Sequence, residues 1–452
     1  MRYLAFFMLF CGFYRTQAQD LNMELLARWD DDSLPLGAPG NLNLQYNSCW
    51  GMAVNGREIA VLGGARDIFF FDVTEPRQPR LIAKFSGTKS IVSREFKSYK
   101  NRVYAVSDAT TEGMMIFDLS NAPDNIDRTY WSNEFFEKSH TITLDTVSGH
   151  IYLNGSNASL NGLVILNVSQ NPDKPVLLAK VDVEGGYVHD AYVRNDTLYA
   201  SSGYEGYYVF DCGDSKNPKT LASISTGGYN HSSWLTSDGN YAYYTEEIPQ
   251  GLPIHIVDLR KLKTEGEIEV VDHFLDNLTP GGNLAIPHNL FIRNDLLFVS
   301  QYEDGLLVYD ICQPTTPKLI AHYDTHPENT AYNGYFGCWG NYPWLPSGTI
   351  IASDMQNGMF LLKMVSPIKA GSDLEVNIYP NPAHNYLHVS LPQPSELWTY
   401  RIFDAAGRLV RNGTVEWCLE TTLNLKNLAS GMYILEIQTT EGAKTVRKFM
   451  LD

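Results

Sequence analysis

Four histidines, His140, His189, His231 and His288, each stand at the opening of a short run rich in β-branched and apolar residues. Trp50, Arg94 and Trp339 hold matching places before or within three similar runs, so the seven make one column when the runs are aligned. Imidazole nitrogen is the commonest metal ligand in proteins and, when neutral, takes Zn, Fe or Cu. Four imidazoles delivered by neighbouring strands could converge on one transition-metal ion, provided each second nitrogen is held by another group. Carboxylates stand close by in the sequence: Asp190 follows His189, and Glu246 and Glu247 lie in a following loop, with Glu205, Glu303 and Asp304 in equivalent loops. Asp190 and Glu246 are the candidates for moving protons if the ion does chemistry. A guanidinium at Arg94 would favour a carboxylate or phosphate group of a ligand. Trp50 and Trp339, joined by Tyr342 and Trp344, would supply an apolar or sugar-stacking wall.

The competing reading of the column is structural, because a histidine near the start of a strand often serves only to hydrogen-bond within its own unit. A device of that kind should repeat from unit to unit, whereas this column mixes His, Arg and Trp. Other histidines, among them His150, His255, His322 and His326, sit mid-strand or beside turns and read as core or solvated residues. No Gly-rich phosphate loop, G-x-S-x-G elbow, HExxH, CxxC or EF-hand loop occurs in the chain.

The elements that must position the column are short strands. Residues 286–325 contain four apolar runs separated by Asn-Asp, Glu-Asp-Gly and Pro-Thr-Thr-Pro, which predicts a four-stranded antiparallel meander. One such meander cannot bury enough apolar surface alone, and copies recur. Anchored on the third strand, they end at Asp72, Asp118, Asn167, Asp211, Asp258, Asp310 and Lys363, spaced 46, 49, 44, 47, 52 and 53 residues apart. Seven copies at this period predict a seven-bladed β-propeller over residues 22–365. The seventh copy has no fourth strand after it, but Glu24–Trp29 reads like one, so this N-terminal strand is expected to complete the last blade and close the ring. The recurring Asp72, Asp118, Asp211, Asp258 and Asp310 are expected to make turns at strand ends.

Residues 1–18 carry Arg2, an apolar run from Tyr3 to Tyr14 and a small-residue exit, the pattern of a signal peptide; Cys11 lies inside the run, away from a lipoprotein position. No segment approaches the roughly 20 apolar residues a membrane-crossing helix needs. The formal charge of −17 disfavours nucleic acid and anionic membrane as partners. After the signal, five cysteines remain (Cys49, Cys212, Cys312, Cys338, Cys418), an odd number that argues against a disulfide framework. Cys49 and Cys338 precede Trp50 and Trp339 at matching places, so they could clip the first blade to the last or remain two buried thiols.

From Ser366 the pattern changes. A spacer at 366–373 leads into strands that alternate apolar and polar residues over 374–452, as in a small β-sandwich. Tyr379-Pro380-Asn381-Pro382, Phe403-Asp404 with Gly407-Arg408, Gly431-Met432-Tyr433 and the terminal Lys444, Lys448, Phe449 resemble the type A C-terminal sorting domain of the type IX secretion system of Bacteroidetes. That resemblance implies export across the outer membrane by the type IX machinery, removal of the domain, and release or attachment of the remainder at the cell surface. Over the repeats, SHTITLD from Ser139, GYVHDAYV from Gly186, NHSSWLTSD from Asn230, TEE at Thr245, IPHNLFI from Ile286 and GCWGNYPWLPSG from Gly337 resemble the choice-of-anchor B family of LVIVD-repeat propellers. This second resemblance implies a surface propeller without an assigned reaction; Asn167 and Lys363 depart from its repeat. The expected function is a surface binding or scaffold module, its partner a small molecule or surface protein, with a metal or small-ligand site at one mouth of the channel. The alternative is a metal-dependent hydrolytic or oxidative enzyme.

Overall fold

The computed structural model describes residues 20–37, 43–89, 92–159, 161–276, 278, 284–328, 331–332 and 334–452. The expected signal segment lies outside them. The described chain is all-β apart from one short helix, Leu262–Glu265. No described helix is long and apolar enough to cross a membrane.

Residues 46–364, with one strand from the N-terminus, build seven four-stranded antiparallel sheets. Their first strands are Tyr46–Val54, Arg94–Tyr99, Thr141–Asp145, Asp190–Arg194, Asn230–Leu235, Pro287–Arg293 and Cys338–Tyr342. Six of these sheets take their four strands consecutively from the chain. The seventh contains Cys338–Tyr342, Ile350–Asp354 and Gly358–Met364, and its outer strand is Met23–Trp29, paired antiparallel with Gly358–Met364 from Met23 opposite Met364 to Trp29 opposite Met359. Without this strand the backbone edge of Gly358–Met364 would be exposed.

The local reason for the repeated meander is a turn that each unit encodes for itself. Asp118 accepts the Ser120 backbone N–H (2.7 Å), Asp211 that of Gly213 (2.9 Å), Asp258 that of Arg260 (2.9 Å) and Asp310 that of Cys312 (2.9 Å). Asp72 does the same for Thr74 at 3.1 Å. Asn167 accepts from Ser169 at 2.7 Å, so the amide performs the task of the acid it replaces. The inner strands are almost wholly buried, for example Leu296–Gln301 and Gly305–Asp310, while outer strands such as Asp127–Ser132 alternate exposed and half-buried residues.

Residues 377–451 form a three-stranded sheet (Asn377–Tyr379, Tyr386–Ser390, Glu420–Asn424) and a four-stranded one (Leu409–Glu416, Leu397–Asp404, Gly431–Thr439, Lys444–Leu451). Both contribute to one core, with Leu387 and Leu423 from the first and Trp398, Leu435 and Phe449 from the second. This unit is fastened to the sixth sheet. Cys312 and Cys418 form a disulfide, Trp417 packs among Leu296, Leu306 and Ile350, and the Leu419 N–H donates to Asp310 at 2.6 Å. The odd cysteine count therefore conceals one bond, and it joins a pair that spacing did not single out. Cys49 and Cys338 are free, buried thiols, as is Cys212.

Candidate functional site

The first strands place three tiers of side chains along a shared interior. The first tier is an arc of rings. His140 and His189 have ring centroids 4.2 Å apart, His189 and His231 4.4 Å, His231 and His288 4.2 Å, and Trp339 closes the row 4.8 Å from His288. A β-bulge makes this presentation. In the fifth sheet Asn230 faces Glu246 and Ser232 faces Thr245, so His231 is the extra residue; Trp339 is extra in the same way between Cys338 and Gly340. A bulge bends the strand and re-aims one side chain.

Backbone carbonyls hold the rings. His189 Nδ1 lies 3.1 Å from the His231 oxygen and His288 Nδ1 lies 2.6 Å from the Trp339 oxygen, so in the neutral ring each Nδ1–H donates and each Nε2 keeps its lone pair. His231 lacks a full bond at Nδ1, because the His288 oxygen it faces already accepts Ser232 Oγ (2.7 Å) and Thr245 Oγ1 (2.9 Å). Burial pushes all three imidazoles down in pKa, His288 to about 3, so they are neutral at ordinary pH. His140 behaves differently. Burial again pulls it down, but the Asp108 carboxylate 3.0 Å from Nδ1 outweighs burial and leaves its pKa raised.

Glu247 completes the arc. Its carboxylate is 3.9 Å from His231 Nε2 and accepts the Tyr302 hydroxyl at 3.2 Å, and burial raises its pKa to about 7 against the opposing influence of His140. Ligand atoms of His231, Glu247 and His288 all lie within 4.8 Å of one another. A cluster of two neutral imidazole nitrogens and one carboxylate is a first-row metal donor set. The other cluster of that size among the described residues includes Cys312 and Cys418, which are bonded to each other.

The second tier is polar. Ser48, Glu95, Thr141, Asp190, Ser232, Asn289 and Gly340, one residue from each first strand, line a narrow space of about 20 Å³. Glu95 accepts Ser48 Oγ at 2.9 Å and Trp339 Nε1 at 3.3 Å. Burial raises the pKa of both Glu95 and Asp190, with Lys97 opposing in each case. The third tier, two residues further along most strands, is aromatic: Trp50, Tyr192, Trp234, Phe291 and Tyr342 with Lys97 and Thr143.

The column residues thus separate. His140, His189, His231, His288 and Trp339 come together. Arg94 occupies the corresponding place in the second sheet, but its guanidinium is buried and bonded to Glu112 (2.9 Å) and the Arg66 oxygen (3.1 Å), so its charge is already matched. Burial pushes the Glu112 carboxyl up, yet Arg94 and Thr88 outweigh it and hold the group ionised. Trp50 lies in the third tier; the first sheet has its bulge at Asn47 and Ser48, and Asn47 holds the arc position. Asp190 is in the second tier. Glu246 faces away from the arc: its carboxylate receives the Gly228 N–H and lies 2.8 Å from His255, which stacks on Tyr244. The neighbouring Glu247 points inward instead. Column alignment did not bring out Glu95 and Lys97, although each follows Arg94 at the offset that Asp190 and Tyr192 have from His189. His150 and His322 serve locally, His150 against Asp196 (2.9 Å) and His322 against the Asp304 oxygen (2.7 Å).

Residues 377–452 match the family model of the secretion system C-terminal sorting domain. The tail indicates a protein exported to the outer membrane or cell surface and handled by the type IX secretion machinery. No curated protein matches the chain.

Proposed function

We propose that residues 22–365 are a seven-bladed β-propeller closed by its N-terminal strand, that 366–373 is a linker and 374–452 the sorting domain, and that the propeller is a surface binding or scaffold module carrying a transition metal at His231, Glu247 and His288. Pairing of Met23–Trp29 with the seventh sheet and the contribution of all seven first strands to one narrow space support the closed ring. The repeat motifs resembling the choice-of-anchor B family fit a surface propeller.

One observation carries the metal assignment. His231 and His288 are buried and held neutral, and the Nδ1 of His288 is turned to the Trp339 carbonyl, so a Nε2 lone pair stands beside the buried Glu247 carboxyl, whose pKa stays raised to about 7 despite the Tyr302 hydroxyl and His140. A purely structural arc would have no need of a buried carboxyl with a raised pKa beside His231, since burying a charge costs stability. Metal coordination would satisfy both groups at once, with the carbonyls fixing ring orientation.

The test is elemental analysis of the exported, gently purified protein, wild type against the double variant His231→Gln/His288→Gln. About one equivalent of Zn, Fe or Cu in the wild type, lost in the variant while the melting curve remains cooperative, is the expected result. A wild-type protein that holds no metal after loading with each of the three ions would overturn the assignment.

A further inference from the structure

At the far ends of the same first strands, away from the histidine arc, lies a cavity of about 520 Å³ with its own chemistry. Its walls are flat rings. Trp50 and Tyr342 meet edge to face with centroids 5.0 Å apart, Tyr192 and Trp234 lie 4.4 Å apart, and Trp344 is 5.4 Å from Trp234. Trp50 is fixed in place because its Nε1–H donates to Ser98 Oγ at 2.9 Å.

The charged groups around this cavity are unequal. Asp145 accepts the N–H groups of Val147 and Asp196, both at 2.8 Å, and Arg194 donates to the Tyr192 hydroxyl (3.0 Å) and the Thr236 oxygen (3.1 Å). Lys97 is held by one hydrogen bond, to a backbone carbonyl. Its ammonium stands 4.4 Å over the Trp50 ring and 3.3 Å from the Phe96 oxygen, and no ion pair with a carboxylate forms among the described residues. Glu95 and Asp190 lie on its inner side in the narrow space, where burial raises the pKa of both carboxyls and Lys97 opposes that shift, while its ammonium also lines the aromatic cavity.

We propose that this cavity binds a small ligand made of a flat ring bearing one carboxylate, the ring stacked between Trp50, Trp234 and Trp344 and the carboxylate on Lys97. The volume falls within the range of small-molecule sites, and aromatic walls with a small number of placed polar groups are how such sites fix orientation. Stacking accepts either an aromatic ring or the C–H face of a sugar ring, so an aromatic acid and a sugar acid share the required chemistry. The ammonium-to-carboxylate bond selects the acid over its neutral amide. This reading is independent of the proposed metal site, whose residues lie at the other end of the strands.

Titration calorimetry on the full chain with indole-3-acetate, indole-3-acetamide and D-galacturonate tests it. Indole-3-acetate should bind at least about tenfold more tightly than its amide. Lys97→Met should abolish that preference, and Trp344→Ala should weaken acid and amide alike while preserving their ratio. Binding of galacturonate, with indole-3-acetate failing, would assign the ring as a sugar. His231→Gln/His288→Gln should leave all of these values unchanged, so loss of the metal reading and loss of this one are separable. Equal binding of acid and amide to the wild type, an acid preference that survives Lys97→Met, or no binding of any of the three probes would overturn the proposal.

Discussion

Glu247→Gln should remove the pH dependence of metal binding. The carboxyl has a pKa raised to about 7, whereas His231 and His288 are already deprotonated, His288 having a pKa near 3. A metal ion entering at pH 6 must therefore displace about 0.9 proton, almost all of it from Glu247, and at pH 8 only about 0.1. The same linkage weakens apparent affinity about tenfold between pH 8 and pH 6, or about 1.4 kcal/mol. Two histidines with an ordinary pKa of about 6.5 would instead release about 1.5 protons at pH 6. Zinc titrations by calorimetry at pH 6 and pH 8, each in two buffers of different ionisation enthalpy, count the protons directly. In Glu247→Gln, Zn²⁺ should bind more weakly at pH 8 and vary less than about twofold in affinity down to pH 6. About 1.5 protons released by the wild type at pH 6, or an unchanged slope in the variant, would refute the electrostatic reasoning.

Two further perturbations probe a buried ion pair beside the arc and the join to the C-terminal unit. Arg94 and Glu112 are each about 1% exposed, so Arg94→Met strands a buried carboxylate and should cost about 3 kcal/mol or more in urea unfolding; Arg94→Met/Glu112→Leu should recover most of that loss, and a single-variant cost below about 1 kcal/mol would mean the pair is solvated. The Cys312–Cys418 bond bridges the sixth four-stranded sheet and the sorting tail, so cutting an engineered protease site in 366–373 should leave one full-mass band on a non-reducing denaturing gel and two bands after reduction. Two bands without reductant would show the cysteines unpaired.

The strand architecture was legible because each unit carries its own instructions. The acid that ends a third strand captures the backbone N–H two residues on, and the meander follows from that turn together with the apolar run before it. Asn167 shows why the departure from the repeat was harmless, since an amide oxygen accepts the same bond from Ser169. Lys363 cannot, and there the chain leaves the sheets for 366–373 after pairing with Met23–Trp29. The disulfide was less legible. Its partners are 106 residues apart and belong to separate units, so no local pattern links them.

The site was legible as a column and blurred by single residues, for a reason inherent in strands. Side chains alternate between faces with a period of two, so an error of one residue exchanges the interior for the opposite face. Glu246 and Glu247 are such a pair: Glu246 faces Asn230 across the ladder and turns to His255, whereas Glu247 reaches His231. The bulge adds the second source of error, because it admits one unpaired residue and moves everything beyond it out of simple alternation. Aligning Trp50 on Trp339 ignored the bulge at Asn47 and Ser48 and placed an aromatic of the third tier in the first. Correcting that one shift also sorts the chemistry. Neutral imidazoles and Glu247 collect at one end, a donor set suited to a cation, while Lys97 and the indoles of Trp50, Trp234 and Trp344 collect at the other, suited to an anion; the buried carboxyls of Glu95 and Asp190 lie between them. A single ligand spanning all three tiers would have to pass a space of about 20 Å³, so the two proposed sites are separate and their occupancies should be measured independently.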